Sequence, residues 1–317
     1  NIALILGNIT KNNPKEIGLE IGNILKELSL VSSIEVAGPG FINIFLNHSG
    51  TQKIIKDILN KNTIREEADS KKIQVEFVSA NPTGPLHVGH GRGAIYGDVI
   101  SKLLEKKGHE VQKEYYVNDA GRQIDILTAS VYLRAIEIED NIFPESAYRG
   151  EYIKEIAKNA NLQDAVNIND LFKSLPEDDE EKIDKIISHL KSASEKDWQS
   201  IKKVSLENVL STIEKDLEDF GVTFDNWFLE SSLLGADSKI DAAVQQLNTN
   251  NLIDNRDGNI WFKSSDFGDD KDRVLIRADG RQTYFASDVA YHKDKLDRGF
   301  DEIINIWGSD HHGYIKR

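Results

Sequence analysis

The chain has 317 residues, of which 39% are hydrophobic and 29% charged, so it is not disordered and has room for about two domains. It has no apolar run of roughly 20 residues and no basic, cleavable leader, so we expect neither a membrane span nor a signal peptide. Without cysteine, we expect no disulfide framework and no thiolate metal site, which fits a cytoplasmic location. Its 53 acidic and 39 basic residues give a net charge of −14, which argues against a general nucleic-acid coating protein but allows an enzyme with a local basic patch.

The first 65 residues have the pattern of a small α+β unit. Apolar residues recur every three or four positions between 17 and 28, which predicts a helix. Residues 37–40, Ala-Gly-Pro-Gly, are typical of a turn, and the β-rich run 41–46 follows them. The polar stretch 65–72 is predicted to be a linker or, equally well, a solvated helix end.

A β-loop-α-β unit is predicted next. Residues 75–79 favour a strand, and the two prolines and one glycine of 81–85 exclude regular structure there. A helix is expected from about His87 to the Lys-Lys-Gly stop at 106–108, followed by a second strand at 111–117. The helix carries four apolar residues on one face: Ile95, Val99, Leu103 and Leu104. The unit predicts parallel strands with a right-handed crossover.

The segment from about 125 to 250 is mostly helical in pattern, acidic and without a recognisable motif. The acidic run 176–181 suits the first turn of a helix or an exposed loop. We therefore expect a helical insertion whose function the sequence does not reveal.

A hairpin and a last strand are predicted in the final 50 residues. Asp279-Gly280 stands between the β-type runs 274–277 and 282–285, which is a strong hairpin signal. Ser287 is predicted to cap a helix that continues to Lys295. Residues 303–307 then predict a buried strand that opens into Gly-Ser-Asp-His-His.

His87 and His90 are the strongest chemical signal, because they lie where a strand has ended and a helix begins. Open α/β sheets bind ligands at this edge, and the free N–H groups of a helix start favour anions. Two imidazoles one turn apart could donate hydrogen bonds to phosphate oxygens, and Gly89 would let a flat adenine or a sugar approach the backbone. Such a site would stabilise charge on an α-phosphate as pyrophosphate leaves.

Three other interpretations of this motif compete with a phosphate site. A metal pair lacks a nearby cysteine or obvious third ligand. A dinucleotide fingerprint is not met by the spacing of Gly89, Gly91 and Gly93, and no Gly-Lys-Ser/Thr sequence of a P-loop is present. Ordinary surface histidines would be the default, but the preceding Asn-Pro-Thr-Gly-Pro-Leu at 81–86 argues against them.

Residues 75–90, VEFVSANPTGPLHVGH, resemble the signature of class I aminoacyl-tRNA synthetases and specifically of the arginyl-tRNA synthetase family. The leading GPGFIN at 38–43 is similar to the end of that family's N-terminal domain. Further segments resemble the same family in the same order: EYYVNDAG at 114–121, FGDDKDR at 267–273, TYFASDVAYH at 283–292 and WGSDHHGY at 307–314. The resemblance covers most of the chain.

The resemblance implies an α/β fold: a Rossmann-like parallel sheet with a helical insertion at about 125–250, preceded by a small α+β domain. The catalytic domain would occupy 70–317, and the N-terminal domain at 1–66 would contact the tRNA elbow. The family's lysine-rich K-M-S-K-S loop and anticodon-binding domain are absent from the sequence, and Asn1 resembles a mid-domain position. We expect a truncated chain; the lack of methionine indicates either a fragment or modified methionines missing from the written sequence.

The resemblance also implies residue roles. His87 and His90 would be catalytic and hold the ATP phosphates, with Gly89 beside the adenosine and Gly308 and Asp310 near the ribose. The full ATP-binding set would be Ala80, Asn81, Pro82, Thr83, Gly84, Pro85, Leu86, His87, Val88, Gly89, His90, Gly308 and Asp310.

For arginine, Ser79 and Asn81 would face the α-amino and carboxylate end, and His311 would lie near the amino group. Glu76, Tyr284 and Asp288 would line the guanidinium pocket, since a planar cation with five donors suits carboxylates and an aromatic wall. The alternative for Asp288 is an ordinary acid in the first turn of a helix.

The implied reaction is arginine plus ATP to arginyl-adenylate, followed by transfer to the 3′ end of tRNA(Arg), with efficient activation only once tRNA is bound. Magnesium would accompany ATP, with no tightly bound metal, and the protein would be a cytoplasmic monomer with no membrane partner. The alternatives are another H-x-G-H nucleotidyltransferase, a synthetase for a different amino acid, or a non-catalytic tRNA-binding paralogue.

Overall fold

A computed structural model describes residues 2–60, 70–162, 166, 168–235 and 238–315, without the side chains of 169, 170 and 310. The chain divides into two compact units, Asn1–Ala68 and Asp69–Arg317, and each is described separately below.

The first unit packs helices and a two-stranded antiparallel sheet. Its elements are α1 (Ile2–Thr10), α2 (Pro14–Lys26), β1 (Val31–Ala37), β2 (Phe41–Leu46) and α3 (His48–Leu59). The predicted helix, turn and β-rich run correspond to α2, residues 38–40 and β2. Gly40, at φ 128°, is required at the turn because a Cβ there would lie 2.7 Å from the Pro14 carbonyl oxygen. Of the predicted linker, residues 65–69 lie outside the described part of the chain.

The second unit is built on a parallel sheet. Its strands are β3 (Lys72–Glu76), β4 (Glu110–Val117), β5 (Asn226–Leu229) and β9 (Glu302–Asn305), in the spatial order β5-β4-β3-β9. Every neighbouring pair is parallel. Since β4 lies on one side of β3 and β9 on the other, the strand order reverses between β3 and β9, and ligands bind at such a switch point.

Helices and a small antiparallel sheet fill the connections of the second unit. The helices are α4 (Val88–Lys106), α5 (Arg122–Ala135), α6 (Glu151–Lys158), α7 (Asn169–Lys173), α8 (Asp179–Ala193), α9 (Glu195–Asp219), α10 (Lys239–Thr249) and α11 (Tyr284–Asp297). The antiparallel strands are β6 (Ile253–Arg256), β7 (Asn259–Phe262) and β8 (Arg273–Ile276). None of the described helices is long and apolar enough to cross a membrane.

Two predicted boundaries differ from those in the structure. The strand expected at 75–79 is β3 and ends at Glu76, because Val78 and Ser79 adopt positive φ values of 65° and 41°. The expected insertion at 125–250 contains β5, a strand too short for its four residues to show a periodic pattern. The helices before β5, α5 to α9, form the insertion itself.

The hairpin prediction was only partly right. The turn at Asp279-Gly280 forms, but the returning strand is reduced to a bridge between Ile276 and Gln282. Thr283 then caps α11 by accepting from the N–H of Ala286, so the helix begins at Tyr284 and Ser287 lies inside its first turn.

Helix α4 does not bury the apolar face that the sequence suggested. Ile95, Val99 and Leu103 are each about half exposed or more, whereas the small residues of the helix face β3 and β4. A Cβ on Gly97 would lie 2.1 Å from the ring of Phe77, so the helix approaches the sheet through its glycine. The contact that orients α4 is therefore one that a hydrophobic pattern cannot reveal.

Candidate active site

A cavity of about 980 Å³ lies at the carboxyl ends of β3 and β9, walled on one side by α10 and α11. Five of the predicted site residues line it: Glu76, Ser79, Asp288, Gly308 and His311. Its volume is in the range of a small-molecule site. The switch point of the sheet thus holds a cavity large enough for an amino acid.

The chain turns sharply into the cavity directly after β3. Val78 and Ser79 both have positive φ, which is an outlier for a β-branched residue such as valine. The turn is held by Ser79, whose Oγ accepts from the N–H of Tyr116 at 3.0 Å and donates to Oε1 of Glu76 at 3.3 Å. Strain at this point therefore places Ser79 and Glu76 together at the cavity wall.

Glu76 is paired before any ligand arrives. Its Oε2 lies 2.5 Å from Nζ of Lys295, a lysine of α11 that is fully buried. Nζ of Lys295 also donates to Oδ1 of Asn305 on β9, at 2.8 Å. The ion pair joins β3, α11 and β9 at the switch point, and a lysine is buried to this extent only when it is paired.

Asp288 faces the cavity from the first turn after the start of α11. Its side chain is accessible from the cavity, yet the surrounding walls raise its pKa by burial. Glu76 acts in the same direction, whereas His292, His311 and Lys295 lower the pKa of Asp288. A carboxylate whose charged form is disfavoured in the empty site gains most when a cation binds beside it.

A second ion pair supports the sheet beside the cavity. Glu114 on β4 is fully buried and accepts from two nitrogens of Arg298, at 2.5 and 2.9 Å. Tyr291 and Asn226 donate to the same carboxylate. Burial acts to raise the pKa of Glu114, but these hydrogen bonds outweigh it and the pKa is lowered.

His87 and His90 form a capping box at the start of α4. Nδ1 of His87 accepts from the N–H of Gly89 at 3.1 Å, and Nδ1 of His90 accepts from the N–H of His87 at 3.2 Å. The rings stack with centroids 3.8 Å apart. Because both Nδ1 atoms are acceptors, each neutral ring carries its proton on Nε2, which is left to donate outward.

The environment keeps His90 neutral. Burial, and then the neighbouring His87, lower the pKa of His90. Gly89 has no side chain because a Cβ there would lie 2.8 Å from the His87 ring. The glycine predicted to make room for a nucleotide therefore first makes room for the histidine.

The loop between β3 and α4 is tied to the fold by two tyrosines. Tyr115 donates to the carbonyl of Ala80 at 2.9 Å, and Tyr152 donates to the carbonyl of Thr83 at 2.6 Å. Burial raises the pKa of Tyr152 to about 12, so this hydroxyl remains a donor. The predicted ATP loop is thus a fixed element rather than a free one.

Some predicted site residues do not line the cavity. Tyr284 is 71% exposed and is not among its lining residues, because α11 begins at this position and turns the ring outward. Asn81 is also absent from the lining and donates to Oε1 of Gln123 at 2.8 Å. His87 and His90 lie at the start of α4, outside the lining set. The side chain of Asp310 lies outside the described residues.

Sequence reasoning missed Lys295, His292 and Asn305. The sequence predicts Lys295 only as the end of a helix, although it follows Asp288 by about two helical turns on α11. Nε2 of His292 lies 3.3 Å from Nδ2 of Asn305, and both residues line the cavity. Asn305 lies in the middle of the predicted strand 303–307. Because β9 ends at Asn305, the residue instead lies at the carboxyl edge of the sheet, which no local signal indicated.

Two family models match the chain. The model for tRNA synthetases class I (R), catalytic domain, matches residues 53–317, and that for the arginyl tRNA synthetase N terminal domain matches residues 1–46. An arginine–tRNA ligase of Psychrobacter cryohalolentis is 46% identical over the whole chain, and one of Acinetobacter baumannii is 44% identical. The chain spans 56% and 57% of these two relatives.

Solved structures of arginyl-tRNA synthetases are also similar to this chain. A Campylobacter jejuni structure assigned as an arginyl-tRNA synthetase is 37% identical, with a TM-score of 0.66 over 84% of this chain and 54% of its own. An arginyl-tRNA synthetase of Thermus thermophilus, 21% identical with a TM-score of 0.59, covers 91% of this chain and 46% of its own and shares the fold.

Proposed function

Because the chain belongs to the class I arginyl-tRNA synthetase family, we propose that the protein activates L-arginine with ATP and transfers it to tRNA(Arg). The observation that carries this proposal is Asp288 in the switch-point cavity. A carboxylate exposed to a cavity, with Glu76 beside it, suits a planar guanidinium cation.

The activation step needs positioning rather than a covalent enzyme intermediate. The arginine carboxylate attacks the α-phosphorus of ATP, the bond to the β-phosphate breaks, and pyrophosphate leaves while arginyl-adenylate forms. Nε2–H of His87 and His90 would donate to phosphate oxygens as charge builds on them. The N–H groups of the first turn of α4 favour the same anion.

In the second step the 3′-terminal ribose hydroxyl of tRNA attacks the carbonyl carbon of the adenylate, and AMP leaves. The acceptor end must then reach the cavity that holds the arginine. We assign the first unit to tRNA contact, because residues 1–46 match a domain found in this family. We further propose a monomer that works in the cytoplasm beside its tRNA substrate.

Magnesium enters this proposal as part of the MgATP substrate. The described residues contain no group of three or more histidines or carboxylates that could hold a metal ion. We propose that the phosphates are met by the Nε2–H donors of His87 and His90.

The proposal is tested by ATP–pyrophosphate exchange with the full-length protein, supplied in turn with arginine, lysine and citrulline, with and without total tRNA. We expect exchange with arginine and tRNA only. Exchange with a different amino acid would keep the phosphate site and reject the arginine pocket. Silence with every amino acid and tRNA would reject the activity in favour of a non-catalytic tRNA-binding paralogue.

A further inference from the structure

Lys295 is a fully buried cation beside a cavity that we have assigned to a cationic substrate. Its Nζ makes two hydrogen bonds, to Glu76 and to Asn305, and lies 4.3 Å from the centre of the Tyr291 ring. Carboxylate, amide oxygen and ring face together satisfy the ammonium group. Lys295 itself does not line the cavity, so it contacts a substrate only indirectly, by positioning Glu76.

The pair changes the charge of the cavity wall. Glu76 and Lys295 cancel each other at 2.5 Å, whereas the structure shows no ion-pair partner within 4 Å for Asp288 in the described part of the chain. The two carboxylates therefore differ: one is already neutralised and the other is not. A wall with one uncompensated negative charge is matched to a substrate with one positive charge.

The pair also fixes the direction of the Glu76 carboxylate. Lys295 holds Oε2, and Oε1 accepts from Oγ of Ser79, a residue that lines the cavity, at 3.3 Å. Since Lys295 comes from α11 and Ser79 from the strained turn after β3, the carboxylate is held from both sides.

Resting on the proposed function, we propose that Lys295 is a positioning residue that sets substrate specificity. It cancels the charge of Glu76 and presents one oxygen of that carboxylate to the guanidinium, so that Asp288 supplies the negative charge that the substrate neutralises. Glu76 then acts as an oriented acceptor. Lys295 touches neither substrate nor reacting atoms.

The two carboxylates should consequently respond differently to neutralisation. Glu76→Gln leaves Lys295 as a buried cation without a counter-charge, next to the place of the guanidinium. Adding Lys295→Met removes that cation and restores the charge balance. Glu76→Gln alone should therefore weaken arginine binding more than the double change does. If the two residues made independent contacts, the double change would instead weaken binding more.

The test is a double-mutant cycle in the full-length protein: Glu76→Gln, Lys295→Met and the pair together, measured by arginine-dependent exchange in the presence of tRNA. We expect Glu76→Gln to raise KM for arginine about 100-fold, and the double variant to recover at least about tenfold of that loss. KM for ATP should stay within about threefold in each variant, which a merely structural role would not ensure. The control is Lys215→Met, which removes an exposed ion pair with Asp219 on α9 and should change none of these values.

Recovery in the double variant supports the proposal, and KM for arginine that stays the same or rises further on adding Lys295→Met overturns it. If Glu76→Gln does not fold, the charge-balanced double variant decides alone: KM for arginine within about tenfold of wild type supports the proposal, and a larger loss overturns it. Wild-type protein that does not use arginine would reject the proposed function itself, whereas an active wild type without coupling rejects only the role of Lys295.

Discussion

At the residue scale, the proposed chemistry rests on two histidines and one aspartate. His87 and His90 use Nδ1 to cap α4, which fixes the tautomer and leaves Nε2–H for phosphate. Burial raises the pKa of Asp288, so its charged form is disfavoured until a cation binds beside it. In the proposed reaction, the histidines would meet the negative charge of the ATP phosphates and Asp288 the positive charge of the arginine guanidinium.

The two functions of His87 can be separated by substitution. Asparagine is a good N-cap and places an oxygen near the position of Nδ1, but it has no distal donor. His87→Asn should therefore keep the melting temperature and lower kcat of exchange about 100-fold. His87→Ala should lower both the melting temperature and kcat of exchange, with the free energy of unfolding reduced by about 1 kcal/mol. Equal activity of the asparagine variant and wild type would remove His87 from the phosphate site.

Neutralising Asp288 should abolish discrimination for charge. Asp288→Asn is expected to raise KM for arginine at least about 100-fold and to shrink the preference for arginine over citrulline, its neutral isostere. Exchange kinetics with both amino acids measure this, and KM for ATP serves as the internal control. An unchanged KM for arginine would contradict the assignment of the cavity.

The raised pKa of Asp288 also predicts a pH dependence. Below its pKa the Asp288 carboxyl is protonated, so KM for arginine rises as pH falls. Because the pKa is raised, this rise in KM begins at a higher pH than it would with an ordinary aspartate. The pKa of Asp288 is higher in the folded than in the unfolded protein. Without arginine, this group therefore stabilises the fold at low pH. That contribution is lost as pH rises from the ordinary aspartate pKa through the raised one. At neutral pH, Asp288→Asn should therefore melt higher than wild type without arginine, and its KM should lose the acidic rise. A pH-independent KM in wild type would contradict this.

At the scale of elements, the sequence predicted the β-loop-α-β unit and the histidines at the start of α4, because caps, prolines and strand alternation are local signals. It failed where tertiary contacts decide. The end of β3 depends on positive φ at Val78 and Ser79, and β5 has only four residues. Helix α11 begins at Tyr284 although 282–285 has β-type residues. The Glu76–Lys295 pair joins residues 219 positions apart, which no local pattern reveals.

The packing of α4 against the sheet gives a stability prediction with a matched control. Gly97→Ala would place a methyl group 2.1 Å from the Phe77 ring and should lower the free energy of unfolding by about 1–3 kcal/mol. Gly93→Ala, on the same helix, meets nothing within 4 Å and should raise it by about 0.5–1 kcal/mol through helix propensity. Denaturant unfolding of both variants measures the difference, and equal effects would show that α4 does not depend on this contact.

At the scale of the molecule, the chain combines a net charge of −14 with membership of a family that acts on tRNA. With an acidic balance, the proposed tRNA binding would depend on local contacts rather than on the overall electrostatic field of the chain. The composition excluded a nucleic-acid coating protein but could not locate a tRNA surface. The motifs, in contrast, identified the family, and the cavity at the switch point agrees with the position that they implied.

The central claim is that this fold attaches arginine to tRNA through the Asp288 cavity. The most direct measurement is the ATP-dependent transfer of labelled arginine to total tRNA by the full-length protein, compared with Asp288→Asn and with labelled lysine. We predict label on tRNA with wild type and arginine, and at least about a 100-fold lower kcat/KM for arginine in the variant. Lysine on the tRNA, or arginine transfer that Asp288→Asn leaves unchanged, would contradict the account.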